Sequence, residues 1–176
     1  MRWLVRVAAG LVAVVLLAVV AGFLLPDTYR VERSAVVNAP PERIYPLVAA
    51  PKRWPEWSMW NRRDPAMAMT FFGPESGAGA GWSWDSKTEG KGRMTFLTAD
   101  PARGFTYQLY FPDYDSTSTG DIRFEPQGDA TKITWTNAGS VGRNPLMHYM
   151  ARFMDRMVGP DFEAGLANLK TLAERR

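Results

Sequence analysis

Cysteine is absent from this chain of 176 residues. That excludes disulfides, thiolate metal sites, a cysteine nucleophile and a lipid anchor on cysteine, while remaining compatible with any redox compartment. Histidine occurs once, as His148. With no second His or Cys to join it, a transition-metal site has no basis. As a general base it would need an orienting partner such as Asp155, but seven residues, two helical turns, separate them, and no catalytic role is expected of it. Acidic residues are missing before Asp27, and the body after Pro26 holds 19 basic against 18 acidic residues, with no basic run or stripe. The basic pI near 9.3 therefore provides no footprint for a phosphate backbone, and nucleic acid is excluded as a partner. Gly77-Ala78-Gly79-Ala80-Gly81 is followed by neither Lys-Ser/Thr nor a helix start, so it reads as a turn and not a phosphate loop. No cofactor is expected.

What the chain does have is apolar surface: 46% hydrophobic residues, with seven Trp, nine Phe and nine Met. Part of it is concentrated at the start. Val7 to Leu25 reads VAAGLVAVVLLAVVAGFLL, without one charged or strongly polar side chain. At about 1.5 Å per helical residue this run nearly spans a hydrocarbon core of roughly 30 Å. It exceeds the apolar region of a signal peptide, and the best small-residue cut, before Gly22, is mediocre. We read residues 1–26 as an uncleaved transmembrane anchor and 27–176 as one domain. Cleavage and secretion is the rival. Arg2 and Arg6 on a very short tail place the body outside the cytoplasm, although Arg30 and Arg33 nearly balance the count and leave a cytoplasmic body as the alternative.

The body reads as an α+β domain. Tyr29 to Val37 alternates as a strand, with Val31, Ala35 and Val37 on one face. Asn38-Ala39-Pro40-Pro41-Glu42 opens a helix that Pro46 shortens. Pro51 to Trp60 is too broken by proline for a long helix, and sets Trp54, Trp57 and Trp60 three residues apart. Alternating stretches from Met67 to Asn137, separated by Gly-, Pro- and Asp-rich turns, predict an antiparallel meander of about six strands. Asn144-Pro145 then starts a long helix, with Leu146, Met150, Phe153 and Met157 on one face and Phe162, Leu166, Leu169 and Ala173 resuming the period after a kink at Gly159-Pro160.

Ser34 to Tyr45 (SAVVNAPPERIY) and the hook Trp54-Pro55-Glu56-Trp57, with the Trp82-Ser83-Trp84 strand and Gly159-Pro160-Asp161-Phe162-Glu163, resemble the START and polyketide-cyclase superfamily, in its membrane-anchored bacterial branch. Ala50 departs from the Asp often found just before the hook. The resemblance implies a helix-grip fold, a curved antiparallel sheet wrapped around a long C-terminal helix, with an apolar cavity between them. Trp57, Trp60, Trp82, Trp84, Phe96, Tyr107 and Trp135 are the candidate cavity walls, and Met150, Met154 and Met157 an adaptable lid or floor.

No catalytic residue is assigned. Asp85, Glu89, Arg93, Asp121 and Arg123 read as solvated cross-strand charges. The leading expectation is a membrane-tethered module, monomeric in its body, that binds a small hydrophobic molecule such as a lipid or an aromatic or polycyclic metabolite. Two alternatives stay open: a cyclase, hydratase or isomerase using polar groups in the same cavity, or a protein-interaction domain whose core is filled by its own side chains.

Overall fold

A computed structural model describes residues 2–175. The apolar N-terminal run forms α1, Arg2–Phe23, whose outer surface is almost entirely exposed. It is the one helix among the described residues long and apolar enough to cross a membrane. The body opens with β1, Thr28–Val37, followed by α2, Pro41–Val48, and a 3-10 segment, Pro51–Glu56. A short helix, α3, Met59–Arg63, leads into six strands: β2 Ala68–Phe72, β3 Gly81–Ser86, β4 Gly90–Asp100, β5 Gly104–Phe111, β6 Ser116–Gln127 and β7 Ala130–Ser140. The last element is α4, Pro145–Glu174.

All seven strands form one antiparallel sheet in the order β1-β7-β6-β5-β4-β3-β2. Six successive strands pair as a meander, and the first strand closes against the last. One irregularity, between Phe96 and Thr98, breaks the register of β4 on β5. Such a bulge bends its strand.

Alternation places Val31, Phe96, Phe105, Tyr107, Ile122, Ile133 and Trp135 on the inner face, where α4 covers them with Phe162, Leu166 and Leu169. The hook is held by a complementary need. Pro46 lies inside α2, and the carbonyls at the helix end have no intrahelical donor. The Trp54 indole donates to Val48 O at 2.8 Å and the Trp57 indole to Leu47 O at 3.1 Å. Two buried N–H groups and two orphan carbonyls are thereby satisfied together. Asn168 Nδ2 donates to Trp57 O at 3.0 Å and ties the hook to α4.

The helix is one long element that runs through Gly159 and Pro160. Pro160 leaves the Arg156 carbonyl without its main-chain donor, a cost that the packing on either side offsets. One expectation about α4 needs correction: Leu146, Met150, Phe153 and Met157 do not face the sheet. They are exposed, and the body-facing row is Ala151, Met154, Val158 and Phe162. The first half of the helix carries two apolar faces, and periodicity alone does not say which one meets the sheet.

Candidate functional site

Between the inner face of the sheet and α4 lies a cavity of about 180 Å³. Five tryptophans line it: Trp54 and Trp60 from the hook and α3, Trp82 and Trp84 from β3, and Trp135 from β7. Tyr107 and Leu109 of β5 and Met154, Val158 and Phe162 of α4 add to the apolar wall, with Met67, Met94 and Phe111. The rings interlock instead of collapsing onto one another. Trp54 meets Trp82 at 5.1 Å, tilted, and meets Trp135 edge-on at 5.8 Å, so rigid rings hold the walls apart.

Of the residues expected here, the cavity brings together Trp60, Trp82, Trp84, Tyr107, Trp135 and Met154. Trp57 and Phe96 are elsewhere, packed in the core with at most 1% exposure. Trp57 sits behind the cavity wall because its indole reaches back to α2, and Phe96 packs on Phe105 at 4.6 Å. Met150 and Met157 lie on the outer face of α4. Sequence reasoning missed Trp54, Phe162 and Asn137. The parity of β7 pairs Asn137 with Trp135, and the helical period pairs Phe162 with Met154 and Val158, so both were recoverable signals.

The cavity has a polar end. Tyr29 and Asn137 line it, with Ser118 directly behind. Asn137 Nδ2 donates to Ser118 Oγ at 3.2 Å. Gly139 leaves room for this cluster: a Cβ there would lie 2.8 Å from Tyr29 Oη and 2.9 Å from Ser118 Cβ. Burial pushes the Tyr29 hydroxyl up from its ordinary pKa, with the Ser118 hydrogen bond pulling the other way. Tyr29 is therefore a protonated donor at neutral pH. Tyr107 is different, because its hydroxyl is already committed. It accepts from Trp135 Nε1 at 2.8 Å and donates to Thr136 O at 3.2 Å, and full burial raises its pKa strongly.

At the rim, Glu89 departs from the surface role expected of it. Its carboxylate is only 13% exposed, because it belongs to the β3–β4 turn, where strand parity does not apply. Arg63 of α3 donates to both Glu89 oxygens at 3.2 Å and to Asp161 of α4 at 2.5 Å, bridging three elements beside the opening. The remaining charges lie on the outside of the sheet. Lys91 pairs with Asp85 at 3.0 Å, and Arg93 lies over the Phe72 ring at 4.2 Å. Arg123 pairs with Asp121 at 3.2 Å, but Asp121 also departs from the solvated role expected of it: its side chain is 13% exposed, and its second oxygen is buried without a hydrogen-bond partner among the described residues.

His148 does no chemistry in this cavity. Its Nδ1 faces Gly22 O at 2.9 Å and its Nε2 faces Gly142 O at 3.0 Å, so it fastens the end of α1 to the body. Asp155, the partner that would have oriented it as a base, is taken by Arg33. Among the described residues no cluster of His, Asp or Glu could hold a metal ion.

Solved structures share this architecture. A solution structure from Thermobifida fusca is 19% identical, with a TM-score of 0.63 over 82% of this chain and 92% of that one. Norcoclaurine synthase from Thalictrum flavum, in complex with dopamine and hydroxybenzaldehyde, is 15% identical, with a TM-score of 0.62 over 85% and 89%. The di-domain ARO/CYC BexL from the BE-7585A biosynthetic pathway is 18% identical, with a TM-score of 0.64 over 99% of this chain and 61% of that one. These likenesses establish the fold. No curated protein matches the sequence significantly. The sequence profile of one family matches residues 28–174, which is nearly the whole body, and the chain is accordingly a member of the polyketide cyclase / dehydrase and lipid transport family.

Proposed function

We propose that this protein is a membrane-tethered binding module for a small hydrophobic molecule, with residues 1–26 as the anchor and 27–176 as a monomeric ligand-binding domain on the extracytoplasmic side. The observation that carries the reading is the aromatic cavity itself, a mostly apolar space with polar groups at Tyr29 and Asn137 and again at Ser58, Asn61 and Glu89, built from rings that hold one another apart. A cavity of roughly 150 Å³ admits benzene. At about 180 Å³, this one suits a single ring or a short alkyl chain bearing one hydroxyl or carbonyl, and a polycyclic guest or a lipid chain requires the rim to open. Norcoclaurine synthase, which shares the fold, holds two single-ring aromatics of that size class.

Binding is favoured over catalysis by the state of the polar groups. Both oxygens of Glu89 are engaged by Arg63, and burial keeps Tyr29 and Tyr107 protonated. The groups facing the cavity are thus suited to hold a hydrogen bond and poorly suited to remove a proton. The filled-core alternative is disfavoured by the open volume.

The test is to express the body from Asp27 onward, purify it without detergent and identify retained apolar molecules by mass spectrometry. Titration with a small fluorescent aromatic probe, read by quenching of the cavity tryptophans, accompanies it. Saturable quenching by one probe per chain is expected. A well-folded body that retains nothing and binds no probe would sink the reading.

A further inference from the structure

We infer that the first half of α4 is a second membrane contact, with its outward apolar stripe lying in the interface of the bilayer that α1 enters. The inference rests on reading α1 as a membrane anchor. Leu146, Met150, Phe153 and Met157 recur at helical spacing over three turns, 38–55% exposed, and none of them belongs to the body's core. Single exposed apolar residues are ordinary on a soluble surface, but a continuous stripe of large ones marks an interaction site.

What occupies the stripe follows from α1. Tyr149 Oη donates to Ala18 O at 2.8 Å, and His148 Nδ1 meets Gly22 O at 2.9 Å. Gly22 is so close to α4 that a Cβ there would lie 2.4 Å from Pro145 O. The last turns of α1 are therefore packed against the first turns of α4, with Gly22 by Pro145 and Ala18 by Tyr149. A bilayer that receives α1 up to this contact reaches the neighbouring face of α4 as well.

The charges agree. Arg143, Arg152 and Arg156 are exposed and take part in no ion pair among the described residues. By helical spacing Arg152 and Arg156 continue the row of α4 that meets α1 through Pro145, His148 and Tyr149, one to two turns further along and beside the stripe. Their stems can lie along apolar surface while the guanidinium groups reach anionic headgroups. The one acid on these turns, Asp155, is turned to the other side and held by Arg33. Met154 and Val158, which line the cavity, alternate with the stripe residues along the helix. The membrane contact thus forms the back of one cavity wall and places the ligand site at the bilayer surface.

The absence of cysteine makes the test direct. Leu16→Cys, Phe153→Cys, Met157→Cys and Asp129→Cys are made singly in the full chain, each labelled with nitrobenzoxadiazole. The proteins are reconstituted into phosphatidylcholine–phosphatidylglycerol vesicles carrying doxyl labels on the acyl chains. Circular dichroism confirms the fold, and Met150→Cys serves if either stripe variant misfolds. The expected result is blue-shifted emission and loss of intensity to the doxyl label at positions 16, 153 and 157, with neither at 129, in the distant β6–β7 turn. Quenching at 16 with positions 153 and 157 behaving like 129 overturns this inference and leaves the anchor standing. A label at 16 that also behaves like 129 overturns both. Positions 153 and 157 hidden from lipid, with Met157→Cys cross-linking between copies, would assign the stripe to a second chain and likewise overturn it.

Discussion

The indole of Trp135 lies flat on the ring of Phe162, with centroids 3.9 Å apart and planes 6° from parallel. Sheet and α4 therefore meet ring to ring at the cavity wall. The same indole touches Trp54, Trp57 and Trp60 edge-on and donates to Tyr107 Oη. Trp135 is thus core and cavity lining at once. Trp135→Ala is expected to cost about 3–5 kcal/mol in urea unfolding, because the surrounding rings cannot all close the gap. Trp135→Phe keeps an aromatic stack but removes the donor to Tyr107, and should cost less, about 1–2 kcal/mol. Equal losses for the two variants would show that the ring contact contributes little.

The sheet and its inner face were legible because alternation and turn chemistry agree along the body. Phe105 and Tyr107 are in phase with the buried set, as are Ile122 and Phe124, and Ile133 and Trp135. The hook was legible as three spaced tryptophans, but not which of them points where. That depends on Trp54 and Trp57 reaching the end of α2, a tertiary hydrogen bond with no sequence period. Met150 and Met157 were misplaced for a related reason. The sequence of α4 supports two apolar faces, and the sheet selects the one through Met154, Val158 and Phe162. Glu89 was hidden because it was read as a cross-strand charge, whereas it lies in the β3–β4 turn just before β4 begins at Gly90.

The polar end of the cavity predicts selectivity among ligands. Tyr29→Phe removes a donor, and Asn137→Leu removes the amide that meets Ser118. Either change should weaken binding of a phenolic or carbonyl-bearing probe by about 1–2 kcal/mol, while leaving a pure hydrocarbon of the same size nearly unaffected. Calorimetric titration of paired probes, such as a phenol and the matching alkylbenzene, checks this. A parallel loss for both probes would mean that the substitution had deformed the cavity.

Arg63 predicts a kinetic effect. It joins α3, the β3–β4 turn and α4 beside the opening through Glu89 and Asp161. Arg63→Ala releases all three from one another without touching the aromatic walls. Probe association and dissociation are both expected to accelerate in stopped-flow measurements, with a much smaller change in affinity. Unchanged rates would place ligand entry elsewhere.

Gly159 and Arg33 provide a pH test whose sign is fixed. Arg33 stands on the inner face of β1, crosses α4 at Gly159 and pairs with Asp155 at 2.7 Å and Glu163 at 2.5 Å. A Cβ at position 159 would lie 2.0 Å from its Nη2, so only glycine leaves the guanidinium room to pass. The hydrogen bond from Arg33 holds the Asp155 carboxyl below its ordinary pKa. A lowered folded-state pKa means that the pair's contribution is complete above the ordinary aspartate value and is lost as pH falls below about 4. Because Asp155 is half exposed, that contribution is small, below about 1 kcal/mol. Asp155→Asn should accordingly flatten the acid limb of stability against pH while changing little near neutrality. Gly159→Ala should flatten the same limb by displacing Arg33. Its cost at neutral pH is partly offset by the roughly 1 kcal/mol that alanine gains over glycine inside a helix. Urea midpoints measured from pH 7 down to pH 3 decide it. Retention of the full acid limb in both variants would show that the Arg33–Asp155 pair does not hold β1 to α4.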